Sequence, residues 1–335
     1  MEEIPRQAIV ADIGGTNARF ACVDLENPIL NEMALSKIAV YPCSNFKDLE
    51  TAVRFYQREH ALLVVKHVAI AVASLVAGDV VTMTNLSWQF SISELKHRLG
   101  LLDLHVLNDF VAQAMSLPFL SEHEKIQIGS GRVDARHNRV ILGPGTGLGV
   151  AYLVPTEQGM TPIASEGGHI EWAPYTDQEW FIKQFLVKQY HHVSHERLLS
   201  GPGLENLYVA LATFRGQNVD FLSAVEITDR ALSQSCPLAV ATVQQFLACL
   251  GSIAADCAFT LNTLGGVYLT GGIVPKLLPL IEGSEFRARF EMKGRHSSFK
   301  EQSIATFVLA VLWPGLIGAA GYIKQKIKGI AYDFA

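Results

Sequence analysis

The chain has 335 residues, 49% of them hydrophobic and 18% charged, which is enough for two domains with well-filled cores and excludes a disordered protein. Its 27 Lys and Arg against 32 Asp and Glu give a net charge of −5 without a long basic run, so nucleic acid is not an expected partner. Five cysteines, an odd number with no CxxC pair, fit reduced thiols in a cytosolic protein better than a disulfide framework or a zinc site. The opening Met1-Glu2-Glu3-Ile4-Pro5 is acidic and polar where a secretory leader would be basic and then apolar.

The first predicted elements flank a glycine pair. From Ile9 to Asp24, apolar runs lie on both sides of Gly14-Gly15, the pattern of two strands joined by a tight turn. A P-loop or dinucleotide fingerprint instead runs from strand into helix, and a P-loop also needs a lysine that this loop does not have. Lacking Cβ atoms, Gly14 and Gly15 let backbone N–H groups come close to phosphate oxygens. Asp12, at the end of the first strand, suits Mg²⁺ held through its waters. The alternative is an ordinary hairpin with a surface acid.

A helix is expected over 45–60, where Phe46, Leu49, Val53 and Tyr56 share a face and Ser44 or Asn45 supplies the cap. Strand material follows at 62–65 and 67–73, a short strand at 79–84, and a helix ending at Leu99 and capped by Ser91 or Ser93. The strand 104–107 ends at Asn108-Asp109, where a helical pattern over 110–117 begins. An acid at the carboxyl end of a strand and the mouth of a helix lies where open α/β sheets place ligands. That makes Asp109 a candidate catalytic base, with a plain helix cap as the alternative.

The stretch 139–154 repeats the opening design: an apolar strand, the glycine-rich turn Gly145-Thr146-Gly147, and another apolar strand. This weak internal repeat suggests two related halves, each with a phosphate-gripping hairpin. A third strand runs into Gly271-Gly272 after an apolar helix over 238–260, and two glycines there would let a flat base or ribose lie against the backbone. Between them, Glu166-Gly167-Gly168-His169 can offer several hydrogen-bonding groups to a polyhydroxylated ligand. A metal reading fails there, because the glycines would spoil a helix and no second copy exists. His191, His192 and His195, ahead of Glu196-Arg197-Leu198-Leu199-Ser200-Gly201-Pro202-Gly203, could be read as a metal cluster, since 191 and 195 share a face on a helix, but an exposed, solvated histidine face is the preferred reading. The uncharged run between Glu301 and Lys324 is long enough for a bilayer, yet Pro314-Gly315 interrupts it. A buried strand at 307–312, a turn and a packed helix at 316–328 account for it without a membrane.

In order along the chain stand Asp-Ile-Gly-Gly-Thr-Asn-Ala-Arg, Leu-Asn-Asp-Phe, Gly-Thr-Gly-Leu-Gly, Glu-Gly-Gly-His, Glu-Arg-x-Leu-Ser-Gly-Pro-Gly and Gly-Gly-Ile-Val-Pro. This set resembles the non-ROK group of bacterial glucokinases, within the superfamily that joins hexokinases, actin and the heat-shock chaperone ATPases. The likeness runs from about residue 8 to the Pro-Gly-Leu-Ile-Gly-Ala-Ala near 320. The cysteine-rich zinc motif of ROK kinases is missing, since Glu171-Trp172-Ala173-Pro174 follows His169. Two departures stand out: Leu75 where the family often has proline, and Val311-Leu312-Trp313 in place of polar residues before Pro314.

The resemblance implies an α/β, two-domain actin-like ATPase (ribonuclease H-like) fold with a cleft. The small domain would hold 1–119 plus 315–335 and the large domain 120–314. It implies ATP with its phosphates on Ala11, Asp12, Ile13, Gly14, Gly15 and Thr16 and on Gly145, Thr146 and Gly147, adenosine near Gly271 and Gly272, and Mg²⁺ oriented by Asp12. Glucose would bond to Asn108, Asp109, Glu166, His169 and Glu196, with Asp109 taking the proton of the 6-hydroxyl. A cytoplasmic homodimer acting at the first step of glycolysis is the corresponding expectation. The rivals are a kinase for another hexose, a sugar-sensing repressor on the same fold, and an actin-like ATPase that hydrolyses ATP with water. No helix-turn-helix extension precedes Asp12 to support the repressor.

Overall fold

A computed structural model describes residues 7–28, 30–157, 159–294 and 304–328, so the acidic opening stretch 1–5 lies outside the described residues. The chain divides into two compact units. One comprises Met1–Glu124, Tyr152–Ala164 and Val311–Ala335, the other Lys125–Ala151 and Ser165–Ala310. The first unit thus takes in 152–164, which chain order alone would leave with the middle of the chain.

In the first unit, β1 (Gln7–Ile13) and β2 (Asn17–Asp24) form the expected hairpin. β3 (Leu35–Pro42), α1 (Leu49–Glu59), β4 (His67–Val72), the short β5 (Val80–Thr82) and β6 (Gln89–Ser91), α2 (Ile92–Leu99), β7 (Asp103–Asn108) and α3 (Asp109–Ser116) follow. The five-stranded sheet has the order β3-β2-β1-β4-β7. β1 is antiparallel to β2 and parallel to β4, which is parallel to β7. Strands covered on both faces read as unbroken apolar runs, and all of β4 is buried. The core on one face gathers Phe20, Tyr56, Val53 and Ile70, with the rings of Phe20 and Tyr56 stacked 4.9 Å apart.

Two local expectations are corrected. The helix begins at Leu49, and its cap is Asp48, whose Oδ1 accepts the Thr51 N–H at 2.8 Å; residues 43–45 form a 3₁₀ turn. The apolar run 62–65 is no strand. Leu62 N–H bonds to Gln57 O and Val65 N–H to Leu62 O, so the backbone closes a turn beyond α1. Leu62 and Val65 enter the core, whereas Leu63 and Val64 face solvent. Ser91 does cap α2, through Glu94 N–H.

The last described helix, Pro314–Lys328, packs against α3 and lies on β1 and β4. Its glycines permit the close approach: a Cβ on Gly318 would run into the Ala112 carbonyl, and one on Gly321 into the Phe119 ring.

In the second unit, β8 (Lys125–Ile128) and β9 (Arg139–Pro144) lead to the hairpin of β10 (Leu148–Thr156) and β11 (Gly159–Ser165), whose outer parts count with the first unit. Then come α4 (Asp177–Tyr190), α5 (Gly201–Phe214), α6 (Ala224–Leu232), α7 (Pro237–Leu261), β12 (Val267–Leu269), α8 (Val274–Ile281), α9 (Phe286–Glu291) and β13 (Thr306–Leu309). The six-stranded sheet has the order β11-β10-β9-β12-β13-β8. β13 lies between β12 and β8 with every residue buried, though it ends at Leu309 rather than 312, and Leu312 is exposed.

Helix α7 has 25 residues and is apolar enough to cross a bilayer by length and composition. Most of it is buried, and it packs against α5, α6 and α9, as a central core helix does. At its α9 face, Arg289 donates to both carboxylate oxygens of Glu179 at 2.9 and 3.1 Å. Gln245 donates to the same carboxylate at 2.8 Å, which joins α4, α7 and α9 through a buried ion pair.

Candidate active site

The first unit supplies one hairpin and one strand–helix junction. Gly14 N–H bonds to Asn17 O at 3.0 Å and closes the turn, and Cys43 N–H bonds to Thr16 O at 2.8 Å behind it. Ala11 and Ile13 have buried side chains, and Ile13 O accepts the Ala73 N–H, so only Gly14, Gly15 and Thr16 stand at the turn itself. A Cβ on Gly15 would lie 2.8 Å from the Asn85 Cβ, so a side chain there has no room. Asp12 faces Arg19 directly across the hairpin register, and the guanidinium is 3.3 Å from its Oδ2. Burial raises the Asp12 carboxyl above its ordinary value against the opposing pull of Arg19. Gly315 opens the last helix against this carboxylate, where a Cβ would come 3.0 Å from Asp12 Cγ.

At the junction of β7 and α3, Asn108 is the helix cap: its Oδ1 accepts the N–H groups of Phe110 and Val111. Its Nδ2 donates to Ser74 O at 3.3 Å and to Asp109 Oδ1 at 2.9 Å. Asp109 is the first helical residue, so the cap role belongs to its neighbour. Its Oδ1 also accepts the Phe110 N–H at 3.0 Å, which leaves Oδ2 without a donor from another described residue. Burial first, and then the negative charge of Asp12, push the Asp109 carboxyl up from 3.8 to about 6. A carboxylate tuned this close to neutrality is what general-base chemistry requires.

The second unit repeats the hairpin. Gly145 N–H bonds to Gly147 O at 2.8 Å, and Gly201 N–H bonds to Gly145 O at 2.8 Å. Thr146 is exposed, and a Cβ on Gly145 would meet nothing within 4 Å. Gly272 likewise opens onto empty space, whereas Gly271 has φ +88° and fits against Pro144 O only as glycine. Glu166 and His169 are both largely exposed on a 3₁₀ turn, with His169 Nε2 3.8 Å from Glu166 Oε2. Gly168 is fixed by packing, since a Cβ would collide with Leu148 O.

This turn is zipped to the segment that carries Glu196. His195 N–H bonds to Ile170 O at 3.0 Å and Trp172 N–H to Val193 O at 2.9 Å. Lys183 donates to Trp172 O and pairs with Glu171 at 2.8 Å. Glu196 Oε2 accepts the Leu148 N–H at 2.9 Å, just past the second glycine turn.

The histidine expectation fails here. α4 ends at Tyr190 and His191 takes φ +58°, so His191 and His195 share no helix face. His195 is buried in a 3₁₀ turn, and that burial pushes its imidazole down to about 4, below any role as a solvated cation.

Asp12 fits a hydrated divalent cation. A hard cation that keeps its waters needs one or two carboxylates, and Asp12 Oδ1 takes no hydrogen bond from the described residues while Oδ2 is steadied by Arg19. Arg19 carries no chemical signal of its own in the sequence, although hairpin register alone places it opposite Asp12. The Glu196–Leu148 contact had no sequence signal, because it joins a side chain to a backbone group 48 positions away.

Two mixed sheets, each headed by a glycine-turned hairpin with an acid on or beside it, define the actin-like ATPase class of α/β fold. Within that class the chain belongs to the glucokinase family, whose model matches residues 9–326. It is 41% identical over 323 residues to a glucokinase of Colwellia psychrerythraea, covering 95% of this chain and 96% of that one. The crystal structure of a glucokinase from an Antarctic psychrotroph superposes with a TM-score of 0.87 at 37% identity, covering 95% of this chain and 98% of that chain. A ROK family glucokinase from Streptomyces griseus, solved in complex with glucose and AMPPNP, shares the fold at TM-score 0.61 and 20% identity, covering 94% and 98% of the two chains.

Proposed function

We propose that the protein transfers the γ-phosphoryl group of ATP to the 6-hydroxyl of D-glucose, giving glucose 6-phosphate and ADP. The observation that carries this reading is Asp109, a partly buried carboxylate at a strand–helix junction with its pKa raised to about 6 beside Asp12. Phosphoryl transfer needs mainly positioning, charge neutralisation and one acceptor for the hydroxyl proton. Asp109 takes that proton as the 6-oxygen forms its bond to the γ-phosphorus and the bond to the β–γ bridging oxygen breaks. At neutral pH most Asp109 is ionised and ready to accept it.

Backbone N–H groups of Gly15 and Thr16, beside strand positions Ala11 and Ile13, and of Thr146 and Gly147 bind the phosphates, while Gly14 and Gly145, whose N–H groups close the turns, leave room for the close approach. Gly271 and Gly272 face the adenosine. Asp12 would hold Mg²⁺, which supplies charge neutralisation on the phosphates when bound. Glu166, His169 and Glu196 receive sugar hydroxyls, and Asn108 orients Asp109 beside them. Paired acceptors of this kind discriminate between epimers, because a missing hydroxyl leaves a carboxylate unpaired. Family membership supports the same reading for glucose and ATP; a cytoplasmic homodimer is part of the proposal. A coupled assay of ADP release over a panel of hexoses tests it: turnover should need sugar and be best with glucose. ATP hydrolysis of equal rate without sugar would replace the kinase with an actin-like ATPase.

A further inference from the structure

Within one unit, Glu196 lies on the second glycine loop, and its segment is bonded to the Glu166–His169 turn. Its Oε2 accepts the Leu148 N–H at 2.9 Å, and a Cβ on Gly147 would lie 2.5 Å from the same oxygen. The carboxylate therefore rests on the second glycine loop and occupies one of its backbone donors. The segment is fastened on both sides. Ser200 Oγ donates to Glu196 O at 2.8 Å, Gly201 N–H bonds to Gly145 O, and His195 N–H bonds to Ile170 O of the Glu166–His169 turn. A negative charge thus sits on the loop that phosphates are to approach, where like charges repel and a donor is already taken.

We infer that Glu196 couples the two substrates: its carboxylate, lying on the Gly145–Leu148 loop, opposes nucleotide binding until sugar hydroxyls engage it. This rests on the glucokinase reading above. Sugar O–H groups donating to Glu196 spread its charge and draw it from Leu148 N–H, so the loop regains both a donor and a weaker repulsion. By linkage, glucose tightens nucleotide binding and nucleotide tightens glucose binding by the same factor.

Calorimetric titration of AMPPNP with and without saturating glucose tests the inference. In the wild type, glucose should lower the nucleotide Kd about fivefold or more, the usual range of coupling between sites. Glu196→Gln keeps the shape and an acceptor for Leu148 N–H but removes the charge. It should bind AMPPNP without glucose at least as tightly as the wild type, with a coupling factor within about twofold of unity. A role confined to holding the turn in place would instead leave the glucose coupling of the wild type intact in this variant. Gly147→Ala, whose methyl group displaces the carboxylate, should lose the coupling as well and serves if Glu196→Gln does not fold. Unchanged coupling in the folded variants, or a wild type that binds both ligands independently, overturns the inference. A wild type that binds neither glucose nor AMPPNP overturns the kinase reading itself.

Discussion

Asp109→Asn separates the chemistry of this site from its cost to the fold. The substitution keeps the size of the side chain and an oxygen for the Phe110 N–H, but removes the proton acceptor. General-base contributions are typically about 10²–10⁴-fold, so kcat should fall by that much while AMPPNP affinity changes little. The pH dependence follows from the raised pKa. With Asp109 at about 6, the base form is about nine-tenths populated at pH 7 and about one-tenth at pH 5, so wild-type kcat/KM should drop close to tenfold per unit below pH 6. The stability effect has the opposite sign. A carboxyl raised from 3.8 to about 6 disfavours the ionised native state by up to about 3 kcal/mol at pH 7, at about 1.4 kcal/mol per unit. That penalty is present above pH 6 and fades as pH falls from 6 to 4, where the native state takes up a proton that the unfolded chain does not. Asp109→Asn should therefore melt several degrees higher than the wild type at pH 7, with the gap closing near pH 4. Coupled assays from pH 5 to 8 and thermal melts at both ends measure the two effects. A variant with near-normal turnover, or one less stable at pH 7 than at pH 4 relative to wild type, would refute the assignment.

Glu166→Gln should raise the KM for glucose about tenfold or more, since a charged hydrogen bond is worth about 1.5–3 kcal/mol, and leave the KM for ATP nearly unchanged. In the same preparation, activity should survive EDTA once excess Mg²⁺ is restored, and stoichiometric zinc by elemental analysis would show that the Glu166–His169 turn has been misread. Gly145→Val should abolish AMPPNP binding in calorimetry with the melting temperature nearly kept, because a side chain there enters open space where phosphates are proposed to lie. Gly14→Val should do the same on the first hairpin. Arg289→Met should destabilise the protein by about 3–5 kcal/mol in denaturant titration, since Glu179 would be left buried without its cation; a loss under 1 kcal/mol would show that the pair is not structurally important.

The parts legible in the sequence are those whose cause is local. Gly14-Gly15 between apolar runs fixes a hairpin because only that turn satisfies both strands, and the same logic locates Gly145–Gly147. Asn108-Asp109 is legible for a similar reason: a strand that ends in a capping residue must hand its next side chain to the mouth of a helix. What escaped the sequence is decided by tertiary hydrogen bonding. Leu62–Val65 has strand composition, but its N–H groups are claimed by Gln57 and Leu62 carbonyls, which closes a turn before a neighbouring strand can pair with it. His195 sits at helical spacing from His191, yet the chain leaves the helix at His191, and the bond from His195 N–H to Ile170 O pulls the imidazole inward.

That same zipper explains why Glu196 belongs with two motifs far from it in sequence. Once 192–196 is paired to 169–172, the Glu196 side chain stands over the turn at Gly147, and glycine is the residue that leaves room for it. The glycine in that loop has a cause the structure shows, close approach of a carboxylate, beside the one its sequence pattern suggests, close approach of phosphate. In the coupling proposed above, the two would compete for the Leu148 N–H, and that competition would make the loop responsive to sugar instead of a fixed cradle.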